Sequence, residues 1–188
     1  MLMSKVLLYG TEILLIIFAV YLFSCYFDIF FTRRRGKGTL ITGCIIFTVW
    51  QLMILSVSAL PVYANISITI IVTLISVMTA YEGGFWNKCI FTFVFNAIWM
   101  MIETLSGYVL SSYCNQFIYP QAYEILGSFI SEFLFLILIF ALKKVFMNDE
   151  IKELSVKYSV MLVLIPTGSI YVMNEIFLFS YKINSNRA

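Results

Sequence analysis

The chain has no histidine in its 188 residues. That absence removes imidazole acid–base chemistry, histidine metal ligands and a phospho-accepting histidine from this polypeptide. Most hydrolase triads and intramembrane Ser–His or Cys–His enzymes go with it, because they need that ring as their base. Charge is nearly as scarce. Only 12% of the residues are Asp, Glu, Lys or Arg, against about 25% in a soluble domain. A formal net charge of +2 provides no broad basic face, so no nucleic-acid partner is expected. The four cysteines, Cys25, Cys44, Cys89 and Cys114, show no CxxC spacing, which points away from a metal site, a redox pair or a disulfide scaffold. No phosphate-cradling glycine loop or nucleotide motif occurs, and no cofactor is expected. Asp28 is the only aspartate near an apolar run, whereas an aspartyl protease dyad needs two. The chain is therefore not read as an enzyme.

Apolar residues are what the chain has in excess. They make up 62% of it, where an ordinary soluble domain has about 45–50%. The remaining polar surface is too small to cover a water-soluble globule of this size. The expected fold class is all-α: a polytopic membrane protein, a bundle of six transmembrane helices forming one integral-membrane domain with no soluble domain. Helices are required because lipid offers no partner to a bare backbone N–H or C=O. Charged breaks place the spans at residues 6–31, 39–60, 66–80, 89–112, 125–142 and 158–181. The sharpest break is Thr32-Arg33-Arg34-Arg35-Gly36-Lys37-Gly38. Pro61 closes the second run, and Gly83-Gly84 reads as a turn before the fourth. The first run is too long for a signal peptide and has no small-residue cleavage site.

Lysine and arginine set the expected orientation. With the N-terminus outside, loops 32–38, 81–88 and 143–157 are cytoplasmic. They then hold Arg33, Arg34, Arg35, Lys37, Lys88, Lys143, Lys144, Lys152 and Lys157, leaving Lys5, Lys182 and Arg187 outside. The positive-inside rule favours this arrangement.

Charges within spans cost about 2.5–3.5 kcal/mol each on insertion scales, so their positions matter. Glu12, Glu103, Glu132 and Glu175 all fall in the outer half of the membrane in this orientation, with no Lys or Arg inside a span to neutralise them. They are the candidate ligand-binding residues, lining an outward-opening cavity for a cationic or hydrogen-bonding ligand. The competing reading has each carboxyl either snorkelling or protonated, a neutral acid being able to bond across helices. Gln51, Asn96 and Asn174 add hydrogen-bonding capacity within spans. Pro166 interrupts the last span and is the candidate hinge, or a passive bend. Gly107 and Ser111, four apart, have the spacing of a small-residue helix contact. Trp50, Trp86 and Trp99 read mostly as interface anchors and packing. Tyr108, Tyr113, Tyr119 and Tyr123 surround an outer loop without Lys or Arg.

The order of these features has a counterpart. A first span with an early acid leads to a basic loop, and a short Leu-Pro link precedes the third span. A glycine turn (Tyr81-Glu82-Gly83-Gly84, then Lys88) follows it. The fourth span carries Trp99-Met100-Met101-Ile102-Glu103, and the last carries Ile165-Pro166-Thr167-Gly168-Ser169. Together they resemble the N-terminal sensor region of GHKL-type sensor histidine kinases, the accessory-gene-regulator-like quorum-sensing receptors of Gram-positive bacteria. The resemblance covers nearly the whole chain through diffuse motifs. It implies a multi-pass protein of a bacterial cell membrane, the ligand-sensing region of a two-component signalling receptor. Its implied partners are the lipid bilayer, an extracellular peptide, and a second copy or a full-length kinase. A full-length parent would be a histidine kinase. The phospho-accepting helix and ATP-binding lobe have no counterpart in this chain, which reads as the sensor half without its kinase. The alternative is a small six-helix substrate-binding subunit of a membrane importer. Such subunits carry a small-residue docking face on the first helix, where Ile16-Ile17-Phe18-Ala19-Val20-Tyr21-Leu22-Phe23 offers only Ala19.

Overall fold

A computed structural model of the protein describes residues 2–56, 62–114, 120–146 and 168. Among the described residues the fold is all-helical: α1 (Leu2–Phe30), α2 (Lys37–Ser56), α3 (Val62–Ala80), α4 (Phe85–Cys114) and α5 (Pro120–Phe146). The helices run up and down and pack in chain order, and α5 returns to lie against α1. Three of them contain stretches long and apolar enough to cross a membrane: Gly10–Phe30, Phe85–Leu110 and Ile125–Lys144. Six spans are not supported. The apolar stretches of α2 and α3, Gly38–Ile54 and Ala64–Ala80, fall short of the about 20 residues that a hydrocarbon core of about 30 Å requires. The expected span at 158–181 lies outside the described residues, as do Pro166, Asn174 and Glu175.

Apolar side chains cover these helices on every side. Ile17, Ile41, Ile71, Phe133 and Phe140 are among those exposed, as expected of helices whose solvent is lipid. The buried core is mostly aromatic. On α1, Ala19, Leu22, Phe23, Tyr26 and Phe27 recur at helical spacing and are almost fully buried. Phe23 stacks on Phe47 of α2 at 4.7 Å between ring centroids. Tyr26 meets Phe95 of α4 at 5.1 Å, and Phe95 meets Phe135 of α5 edge-on at 5.4 Å. Hydroxyls on α3 turn back onto their own helix. Thr69, Thr73 and Ser76 donate to the carbonyls of Asn65, Thr69 and Val72, which satisfies them without water.

α2 and α3 approach closely at Gly43. A Cβ there would stand 2.7 Å from the Ser76 carbonyl oxygen and 2.8 Å from the Ala80 Cβ. The small-residue contact expected at Gly107 lies elsewhere, since a Cβ on Gly107 would meet nothing within 4 Å. Packing between helices is set by which face turns inward, and the glycine spacing on α4 carries no such information.

One end of the bundle is tied together by backbone. The segments after α1 and α3 form an antiparallel bridge between Arg33 and Tyr81. Arg34 N–H donates to the Ala80 carbonyl at 3.0 Å, and Glu82 N–H to that of Thr32 at 2.9 Å. Gly83 then turns the chain with φ +137°, a conformation that glycine alone adopts freely. Arg33 forms a two-pronged ion pair with Asp28. The Tyr81 hydroxyl donates weakly to Asp28 (3.2 Å) or the Ser24 carbonyl (3.3 Å). Burial, reinforced by the Asp28 carboxylate, pushes the Tyr81 phenol well above its ordinary range, so it stays protonated. Lys88, expected in a loop, instead sits in the first turn of α4 and is buried. Its ammonium reaches back to the Tyr81 carbonyl at 2.7 Å.

Candidate functional site

The carboxyl-bearing positions reach common cavities through helical spacing. On α4, Asn96, Trp99, Met100 and Glu103 fall at i, i+3, i+4 and i+7, which puts them on one stripe. On α1, Glu12, Leu15, Ile16 and Ala19 repeat the pattern. On α5, Ser128, Ser131 and Glu132 do the same. α2 contributes Gln51 and Ile54. These stripes meet in the half of the bundle away from the Arg33–Tyr81 bridge.

Two adjoining cavities result. The larger, about 340 Å³, is lined by amides and hydroxyls, among them Gln51, Asn65, Thr69, Asn96 and Thr104. The smaller, about 190 Å³, is lined by Glu12, Glu132, Ser128 and Ser131. Gln51, Ile54, Trp99 and Glu103 line both. The cavities adjoin as two lobes that share a wall, to which Glu103 and Trp99 both contribute. Glu12, Glu103 and Glu132 come together here from three different helices. Glu175 falls outside the described residues.

The three carboxyls differ in their surroundings. Glu12 is half-buried and Glu103 is exposed. Glu132 retains 7% of its surface, and its Oε2 has no hydrogen-bond partner among the described residues. Burying such an atom unpaired costs about 1–3 kcal/mol, and more when it is charged. Asn65 Oδ1, on the wall of the larger lobe, is also buried without a partner. Glu103 and Glu132 both line the smaller lobe.

Trp99, read as an interface anchor or packing residue, packs inside the bundle and is also a wall of the site. Its ring packs at a tilt against Phe95 and Phe135, with centroids at 5.5 and 5.1 Å. Its four-residue spacing from Glu103 was the available signal. Ser128 and Ser131, at i and i+3 before Glu132, could have been found in the same way. Gln51 and Asn96, read as polar capacity within spans, do reach the cavity. Trp50 links α2 to α3 through a 3.0 Å bond from its indole N–H to Thr69 Oγ1, whereas Trp86 is 76% exposed at the bridged end. The side chains of Tyr113, Tyr119 and Tyr123 lie outside the described set.

Comparison with known proteins adds no relative: no protein-family model, curated protein or solved structure matches the chain.

Proposed function

We propose that the chain is the membrane-embedded, ligand-sensing region of a bacterial signalling receptor, of the kind that reads an extracellular peptide. In this reading the bridged end faces the cytoplasm and the acid-lined cavity opens toward the outside. The observation that carries it is the meeting of Glu12, Glu103 and Glu132 on one cavity. Intramembrane acids are expensive and mark pathways and binding sites by default. Here they gather around open space, where helix-to-helix glue would fill it. A signalling output would follow from ligand-dependent repacking of α1, α4 and α5 around the cavity.

Stability separates a binding role from a structural one. Each of Glu12, Glu103 and Glu132 is replaced by leucine in turn, and thermal unfolding is followed in lipid. Carboxyls held for a ligand cost the apo protein stability. The variants should therefore insert normally and unfold at the same temperature or higher, with Glu132→Leu gaining most. If all three unfold at lower temperature, the carboxyls are holding the helices together and the binding reading is wrong.

A further inference from the structure

The two lobes differ in chemistry, and the difference specifies a ligand. The acid lobe presents Glu12, Glu103 and Glu132, with no cationic side chain among the described residues of its wall. Among the described residues, Oε2 of the 93%-buried Glu132 carboxyl has no donor, although buried carboxylate oxygens are normally hydrogen-bonded. Among the described residues, no three acidic or thiol side chains stand close enough to hold one metal ion. A cation with several N–H donors could distribute them among these separated acceptors. Trp99 borders both lobes, and an indole face is the strongest aromatic partner for such a cation. The larger lobe offers the amides of Gln51, Asn65 and Asn96 beside Phe47 and Phe95, a lining suited to a hydrogen-bonding body with apolar faces. Its volume of about 340 Å³ lies within the range of small-molecule sites, about 300–1,000 Å³.

We propose that the cavity binds an organic ammonium group, with the ammonium in the lobe of Glu12, Glu103 and Glu132 against Trp99 and its amide-bearing body in the lobe of Gln51, Asn65 and Asn96. The amino end of a short peptide and a small free amine share this chemistry. The inference rests on the reading of the cavity as a binding site and goes further by naming the recognised group.

The test uses the full chain in phosphatidylglycerol nanodiscs, whose headgroups carry no ammonium. Binding is measured calorimetrically for alanyl-alanyl-alaninamide, its N-acetylated form and propylammonium. The free-amino tripeptide should bind, and acetylation should weaken it at least tenfold on the unaltered protein. Glu132→Gln should weaken it by a similar factor while leaving the acetylated form unchanged. Propylammonium binding as tightly as the tripeptide assigns the site to small amines, and much weaker binding assigns it to peptide amino ends. Equal affinity for the free and acetylated tripeptides overturns the ammonium assignment while leaving a peptide site in place. Absence of binding by both amines also overturns it. The leucine variants then show whether the binding-site reading falls too.

Discussion

At the scale of single residues, buried polar contacts differ more in worth than their number implies. Lys88 makes one short, charge-assisted bond to the Tyr81 carbonyl from a site that is 2% exposed. Lys88→Met keeps the apolar stem but leaves that carbonyl unpaired, so it should destabilise the protein by about 1–3 kcal/mol. The Tyr81 hydroxyl stands 3.2 and 3.3 Å from its acceptors, longer than the roughly 2.7–2.8 Å usual for O–H···O bonds. Tyr81→Phe retains the ring and should cost under about 1 kcal/mol. Unfolding in mixed detergent and lipid should rank the two in that order, and a larger effect from Tyr81→Phe would contradict the geometry. Single residues also mark where sequence reasoning stopped. Glu12, Glu103 and Glu132 stand out in the sequence because charge in an apolar run is costly wherever it faces. Trp99 does not, because an aromatic ring suits lipid, core and ligand wall equally. Lys88 was misplaced because a cation beside a glycine turn looks solvated until a free carbonyl is seen within its reach.

At the scale of elements, α2 and α3 are the pair whose contact depends on one missing side chain. At Gly43 an added Cβ would press on the Ser76 backbone oxygen at 2.7 Å, and backbone within a helix cannot rotate aside. Gly43→Ala should force the helices apart at a cost of about 1–3 kcal/mol, whereas Gly107→Ala, with open space around it, should cost nothing. Paired unfolding measurements on the two variants check this, and equal effects would remove the close approach. Gly83→Ala should also destabilise, by about 1–3 kcal/mol, through its φ of +137° and a Phe31 ring carbon 3.0 Å from the new Cβ. Helix existence was legible because apolar runs of this length admit little else. Helix ends were less so. α4 begins at Phe85 where residue 89 was expected, because the polar Asn87 and Lys88 join its first turn once Lys88 has a carbonyl to reach. Inter-helix contacts were the least legible. They depend on which face turns inward, and a sequence apolar on all sides conceals its inward face.

At the scale of the whole molecule, charge separates along the bundle axis. The bridge between Arg33 and Tyr81, the start of α4 with Lys88, and the last turn of α5 with Lys143 and Lys144 share one end. Asp28 of α1 and Lys143 of α5 line one small cavity there. The three carboxyls lie in the other half, where Leu110 of α4 meets Gly127 of α5. Anionic inner-leaflet lipid and the positive-inside bias both favour a cytoplasmic basic end. The proposed receptor then has its N-terminus outside and its acid-lined cavity open to extracellular ligands. The importer reading requires a cytoplasmic N-terminus and a free small-residue face on α1. Ala19, the one small residue in that stretch of α1, is 3% exposed and lines the acid lobe, so it is not available for docking. A protease-sensitive tag on the N-terminus of the full chain should be cleaved in intact cells. Exchanging Arg33, Arg34 and Arg35 for glutamine should reduce that cleavage by weakening the inward anchor. A tag protected until the cells are opened would reverse the bundle, place Glu12, Glu103 and Glu132 toward the cytoplasm, and exclude an extracellular ligand for the cavity.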